Sequence, residues 1–144
     1  MTWVLLFQLD DLTYGIKVES VQEIVEKPEQ YPLPGAKGCL RSVINFHGEV
    51  LAVINLPKLC RCKASHLDPR LIVLTDEFHS LAVQVNSVGS VVEIDIDRVA
   101  SPGPGSGPPV LGTCQHDDEG DIHLFDMGSV IRQLEKLDLG VDGG

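Results

Sequence analysis

The chain has 144 residues and a formal net charge of −10, with hydrophobic residues at 43% and charged residues at 22%. That length suits one domain of ordinary size or two small, closely packed lobes, and the apolar share is that of a soluble globular protein. The charge argues against nucleic acid, whose phosphates need a basic patch that is absent here, and it disfavours an anionic membrane surface.

Residues 3–10 (Trp-Val-Leu-Leu-Phe-Gln-Leu-Asp) read as a strand, with Asp10-Asp11 as the turn and Tyr14 to Val18 as a second strand. Val21, Ile24 and Val25 then fall three and four apart while Glu19, Gln22, Glu23 and Glu26 point elsewhere, which predicts a short helix turning into a strand. Pro28, Pro32 and Pro34 make residues 28–38 an irregular connection. Two apolar runs, Val43 to Phe46 and Val50 to Leu56, flank His47-Gly48-Glu49. Gly48 can take the positive φ of a tight reversal, so this stretch reads as a β-hairpin whose second strand lies deep in the core.

Leu56-Pro57-Lys58-Leu59 allows one helical turn, with Pro57 suited to its start. Arg61 to Pro69 is polar and loop-like. Three strands follow at Arg70–Thr75, Ser80–Val85 and Ser90–Ile94, with turns at Asp76-Glu77 and at Asn86 and Gly89. The Pro- and Gly-rich stretch 101–109 predicts an exposed linker. Val110–Gln115 and Asp121–Phe125 form a last hairpin, and Val130, Ile131, Leu134 and Leu137 share one face of a C-terminal helix. The pattern is all-β, with about nine or ten short strands at the spacing of barrels or sandwiches.

No apolar run approaches the ~20 residues that cross a bilayer. Met1 leads directly into a strand pattern with no signal segment before it, so a cytoplasmic chain without direct membrane insertion is expected. The four cysteines are too few and too irregularly spaced for a secreted disulfide framework. Cys39 and Cys114 sit in apolar surroundings and read as small core residues. Cys60-Arg61-Cys62 with His66 has some flavour of a metal clip but lacks paired C-x2-C spacing. Asp117-Asp118-Glu119-Gly120-Asp121 has its glycine in the wrong place for a calcium loop. None of the five histidines neighbours a hydrolase signature, so no active site and no cofactor is expected.

Taken in order, three segments carry a resemblance. They are Phe7-x-Leu9 through Tyr14-Gly15-Ile16 to Val21-Gln22-Glu23-Ile24; Ile44-Asn45-Phe46-His47-Gly48-Glu49-Val50 to Leu56; and Ala82-Val83-Gln84-Val85-Asn86-Ser87-Val88. With Gly112 and Leu124-Phe125-Asp126 as a closing segment, the sequence resembles the CheW-like domains, coupling proteins of bacterial chemosensory systems, across about residues 3–137. The resemblance implies two small five-stranded, SH3-like β-barrels packed side by side around an apolar groove, followed by a short C-terminal helix. It implies a single domain over 1–144, with barrel one at approximately 1–69 plus the C-terminal segment and barrel two at approximately 70–109. It further implies a non-enzymatic adaptor between the cytoplasmic tip of a chemoreceptor and the regulatory domain of a CheA-type histidine kinase.

Carried over by position, the partner-binding candidates are Val21, Glu23, Ile24, Asn45, His47 and Gly48. Their ordinary structural roles are core for Val21 and Ile24, a solvated face for Glu23 and a turn for Gly48. The chain departs from the family pattern at His47 (for Arg), Ser42 (for Gly), Ala52 (for Pro), and Asn55 and Asn86 (for Asp). Loss of a fixed cation together with two carboxylates implies a rebuilt polar network. The competing expectation is a small β-barrel metal-binding or enzymatic domain that uses Cys60, Cys62 and His66.

Overall fold

A computed structural model describes residues 1–35, 38–62, 66–78, 81–102 and 108–134. The strands are β1 (Thr2–Leu9), β2 (Leu12–Lys17), β3 (Val21–Val25), β4 (Tyr31–Pro32), β5 (Leu40–Phe46), β6 (Glu49–Asn55), β7 (Leu71–Leu74), β8 (Ala82–Gln84), β9 (Ser87–Ile94), β10 (Val110–His116) and β11 (Gly120–Phe125). Two short helices join them, α1 (Leu56–Leu59) and α2 (Met127–Leu134). Asn55 caps α1 by accepting the Lys58 N–H at 3.0 Å, and Pro57 lies in the first turn, where its missing N–H costs nothing. The expected helix at Val21 is instead strand β3, preceded by a 3-10 turn over Val18–Ser20. Pairing with β7 supplies hydrogen bonds that outweigh the weak helical periodicity.

The strands form two sheets, a five-stranded one in the order β10-β11-β2-β1-β9 and a six-stranded one in the order β3-β7-β8-β6-β5-β4. Pairing is antiparallel except at β11–β2 and β6–β8. The chain therefore crosses between sheets at Val18–Ser20 and again between β8 and β9, not near residue 70. The first lobe holds β1, β2 and β9 to β11, and the second holds β3 to β8, which corrects the expected division at 69/70. Neither sheet is closed by strand pairing among the described residues, so each is a coiled open sheet and not a complete barrel. Residues 103–107 of the expected linker and Leu137 of the expected helix lie outside the described residues.

Each sheet wraps a small core of its own. Val4, Leu6, Ile94, Cys114, Ile122 and Leu124 fill the five-stranded sheet, and Ile44, Phe46, Leu51, Val53, Leu71 and Val73 fill the six-stranded one. The alternate residues of the same strands point outward and meet in a third, larger cluster between the sheets. Leu5, Phe7 and Ile16 enter it from one side, Ile54, Ile72 and Leu74 from the other, and Val130, Ile131 and Leu134 of α2 join them. Strands β1 and β7 are thus apolar on both faces, which explains runs such as Leu71-Ile-Val-Leu74 that do not alternate. Gly112 serves the close approach of the segment that joins β9 to β10 within the first lobe. A Cβ there would lie 2.3 Å from the Ala100 carbonyl oxygen, next to the Ala100–Thr113 bridge.

A polar joint fastens the two sheets where the chain returns. Asp68 is buried, and its Oδ1 accepts the Arg70 backbone N–H at 2.9 Å and Nε–H at 3.1 Å. Its Oδ2 accepts from Arg70 Nη2 at 2.9 Å and from the Val88 N–H of β9 at 2.8 Å. Asn86 completes the joint, accepting the Asp10 N–H at 2.9 Å and donating to the His66 carbonyl at 2.6 Å. Burial alone pushes the Asp68 carboxyl up, but the Arg70 and Val88 hydrogen bonds and the Arg70 charge outweigh it and hold the pKa down at about 2.

Two outcomes follow from this packing. Ile54 is 1% exposed in the central cluster, and Ile54→Ala should lower unfolding free energy in urea by ~2–5 kcal/mol, through lost burial and the cavity left behind. Because Asp68 falls from 3.8 unfolded to about 2 folded, its contribution is complete above pH 4 and lost as pH falls toward 2. That contribution is on the order of 2 kcal/mol. In Asp68→Asn, the stability-against-pH curve should flatten in that window, and an unchanged slope would show that the joint carries no such energy.

Candidate functional site

The β5–β6 hairpin closes at the pair Phe46–Glu49, leaving His47 and Gly48 as a two-residue loop. Their φ angles are +50° and +87°, both left-handed, as a type I′ turn requires. Histidine is among the few side chains enriched in that region, and glycine adopts it without strain. Asn45 braces the loop by accepting the Gly48 N–H at 3.0 Å. The Phe46 ring, buried in the small core, meets the His47 imidazole edge-on with centroids 4.3 Å apart.

Glu23 lies on β3, at the far edge of the sheet from β5, with β7, β8 and β6 in between. Even so, His47 Nε2 stands 3.2 Å from Glu23 Oε1. The sheet therefore coils until the hairpin tip returns to its own first edge, as twist and coiling of a six-stranded ribbon allow. The two side chains are 70% and 47% exposed, so the pair adds little stability and leaves both groups open to solvent. Val21 and Ile24, on the same strand as Glu23, are half-buried and pack against the central cluster. The six candidates thus fall into two adjoining groups, a polar tip (Glu23, Asn45, His47, Gly48) and an apolar strand (Val21, Ile24).

Sequence reasoning missed three apolar residues on the opposite sheet. Trp3 follows the alternation of Leu5 and Phe7 on β1, yet it is 54% exposed where they are buried. Val91 pairs with Leu5 across β9 and is 48% exposed. Val18 opens the 3-10 turn that follows β2, and it too is exposed. Val21, three residues further on, is half-buried and packs against the central cluster. A single exposed apolar side chain is ordinary, and these three are noted because they lie on the segments that lead into that cluster.

Cys60 and Cys62 flank Arg61, whose φ is +58°. Burial pushes the Cys60 thiol up to about 12, with Cys62 and Cys39 adding to it. Burial and then Asp10 raise Cys62, and burial followed by the neighbouring thiols takes Tyr14 to about 12. Thiols raised in this way carry little thiolate and are weak nucleophiles. Among the described residues, no group of three or more His, Cys, Asp or Glu is placed to hold a metal ion. Cys39 and Cys114 are buried core residues, as their surroundings imply.

The family model described as "CheW-like domain" matches residues 4–135. The chain belongs to the CheW-like domain family. Among curated members it is similar to the chemotaxis protein CheW of Treponema pallidum, 26% identical over 102 residues that cover 67% of this chain and 60% of that protein. It is also similar to the chemotaxis protein CheW of Thermotoga maritima, 30% identical over 56 residues that cover 39% of this chain and 37% of that one. The chain thus matches less than two thirds of the length of either relative. The crystal structure of the scaffolding protein TtCheW from Thermoanaerobacter tengcongensis superposes with a TM-score of 0.76 at 22% identity, over 87% of this chain and 88% of that one. At that identity the likeness is one of fold. No helix among the described residues is long and apolar enough to cross a membrane.

The geometry of the tip predicts different costs for its two residues. His47→Ala should cost at most ~0.5–1 kcal/mol, since it gives up an exposed pair and the edge-on contact with Phe46 while a Cβ already sits at that left-handed position. Gly48→Ala should cost ~1–2 kcal/mol, because a Cβ is forced into the left-handed region. Urea unfolding of both variants checks the turn assignment.

Proposed function

We propose that this chain is a non-enzymatic scaffold of a bacterial chemosensory array, coupling the cytoplasmic tip of a chemoreceptor to the regulatory domain of a CheA-type histidine kinase. The supporting observation is the open end of the inter-sheet core. Trp3, Val18 and Val91 are exposed, and Val21 and Ile24 are half-buried on β3, the strand whose Glu23 meets His47; together they would make an apolar trough with a polar end. An α-helical hairpin lays apolar side chains into such a trough by the helix-in-groove mode, and the polar end fixes its register. Family membership and the fold likeness to a scaffolding protein support the same class of role. A receptor tip of this kind lies in the cytoplasm, and the chain would work there without entering the membrane.

At the polar end His47 Nε2 meets Glu23 across the pair, and Glu49 follows it in the hairpin. Titration calorimetry against a soluble receptor-tip hairpin reads the contribution of the apolar trough. Trp3→Asp and Val91→Asp, both at exposed sites, should each weaken that binding by about tenfold or more while leaving kinase-domain binding intact. Unchanged receptor-tip affinity in both variants would contradict the groove reading.

A further inference from the structure

Lys17 and Glu19, the two chain neighbours of Val18, also line a pocket of ≈330 Å³. Its walls come from β2 and the Val18–Ser20 turn of the crossing segment, from the Asp76–Phe78 turn of the other sheet, and from the start of α2. Its apolar lining includes Ile16, Phe78 and Leu111, the last of these exposed. Three carboxylates, Glu19, Glu77 and Asp126, stand on the lining against the single ammonium of Lys17. Asp126 uses Oδ1 to cap α2, accepting the Ser129 N–H at 3.0 Å. Among the described residues, Glu19 and Glu77 form no ion pair.

A lining that combines apolar side chains with carboxylates suits a long cationic side chain, whose methylene stem lies on the apolar part while its head reaches the carboxylates. A carboxylate or phosphate would meet three like charges, and a purely apolar group would leave them unused. We propose that this pocket is the anchor site for one arginine or lysine side chain of the docking protein, seated as the partner covers Val18. The pocket's own chemistry stands alone; only the identity of the protein that carries the cation rests on the scaffold reading.

Butylguanidinium, a guanidinium on a four-carbon stem, is the probe, titrated into the full ¹⁵N-labelled chain and followed by amide shifts. Saturable shifts should centre on residues 15–20, 77–78, 111 and 124–128. The double change Glu19→Gln with Glu77→Gln should weaken the probe by about fivefold to tenfold, and Lys17→Met should tighten it. Absence of saturable shifts, shifts elsewhere, or equal affinity in the double variant would overturn the proposal. The second arm measures the receptor-tip hairpin. The double variant should weaken it with the melting temperature unchanged, and undiminished hairpin affinity would also overturn the anchor. If the probe binds as expected while no receptor tip binds the native chain, the pocket stands and the scaffold reading fails.

Discussion

A buried carboxylate holds the molecule's two halves in register. Asp68 is taken out of water, a step that is costly unless every lone pair finds a donor. Here Arg70 supplies three donors and β9 supplies the fourth through Val88. The Arg70 guanidinium also donates to the Val88 carbonyl at 3.1 Å, so one acid–base pair serves both backbone groups of a residue on the other sheet. Asn86 adds its amide to the same crossing, reaching the Asp10 turn of one lobe and the His66 loop of the other. With that joint fixed, β1 and β7 can present alternate residues to a shared core, and the shared core has a defined end.

That end is where the proposed partner would dock. The strands of each lobe bury one face in a small core of their own and the other in the cluster between the lobes. The alternation that buries Leu5 and Phe7 leaves Trp3, near the start of β1, in solvent, and Val18, just after β2, is exposed as well. The proposed trough would thus use strand ends and not a specialised insertion. Its polar end arises from coiling of the six-stranded sheet, which returns the His47 tip to Glu23 across the intervening strands.

Much of this was legible in the sequence because it is local. The hairpin at His47-Gly48, the proline of α1, and the helical spacing of Val130, Ile131 and Leu134 each rest on neighbours within a few residues. Sheet membership was not legible. Whether β3 pairs with β2 or with β7 depends on contacts about fifty residues apart, and strand patterns carry no such address. Trp3, Val18 and Val91 look like core residues by their apolar character, and only the folded structure shows that each is partly in solvent. The departures from the family pattern also divide in a way the sequence hid. Ser42, Asn55 and Asn86 are buried and bonded internally, to Gln30, to the start of α1 and to His66, whereas His47 alone among these polar positions stands at the surface. Asn86 donates to a carbonyl, which an ionised aspartate cannot do, so that exchange belongs to the joint and not to the partner surface.

The central claim is that a helical partner lies on the open end of the inter-sheet core. The most direct measurement places a photo-activated benzophenone amino acid at either of two exposed sites and irradiates each protein with a receptor-tip hairpin. One site is Val18 in the trough, and the other is Tyr31 on the edge strand β4. The account predicts a crosslink from position 18 and none from position 31. A crosslink from position 31 with none from position 18 would contradict it.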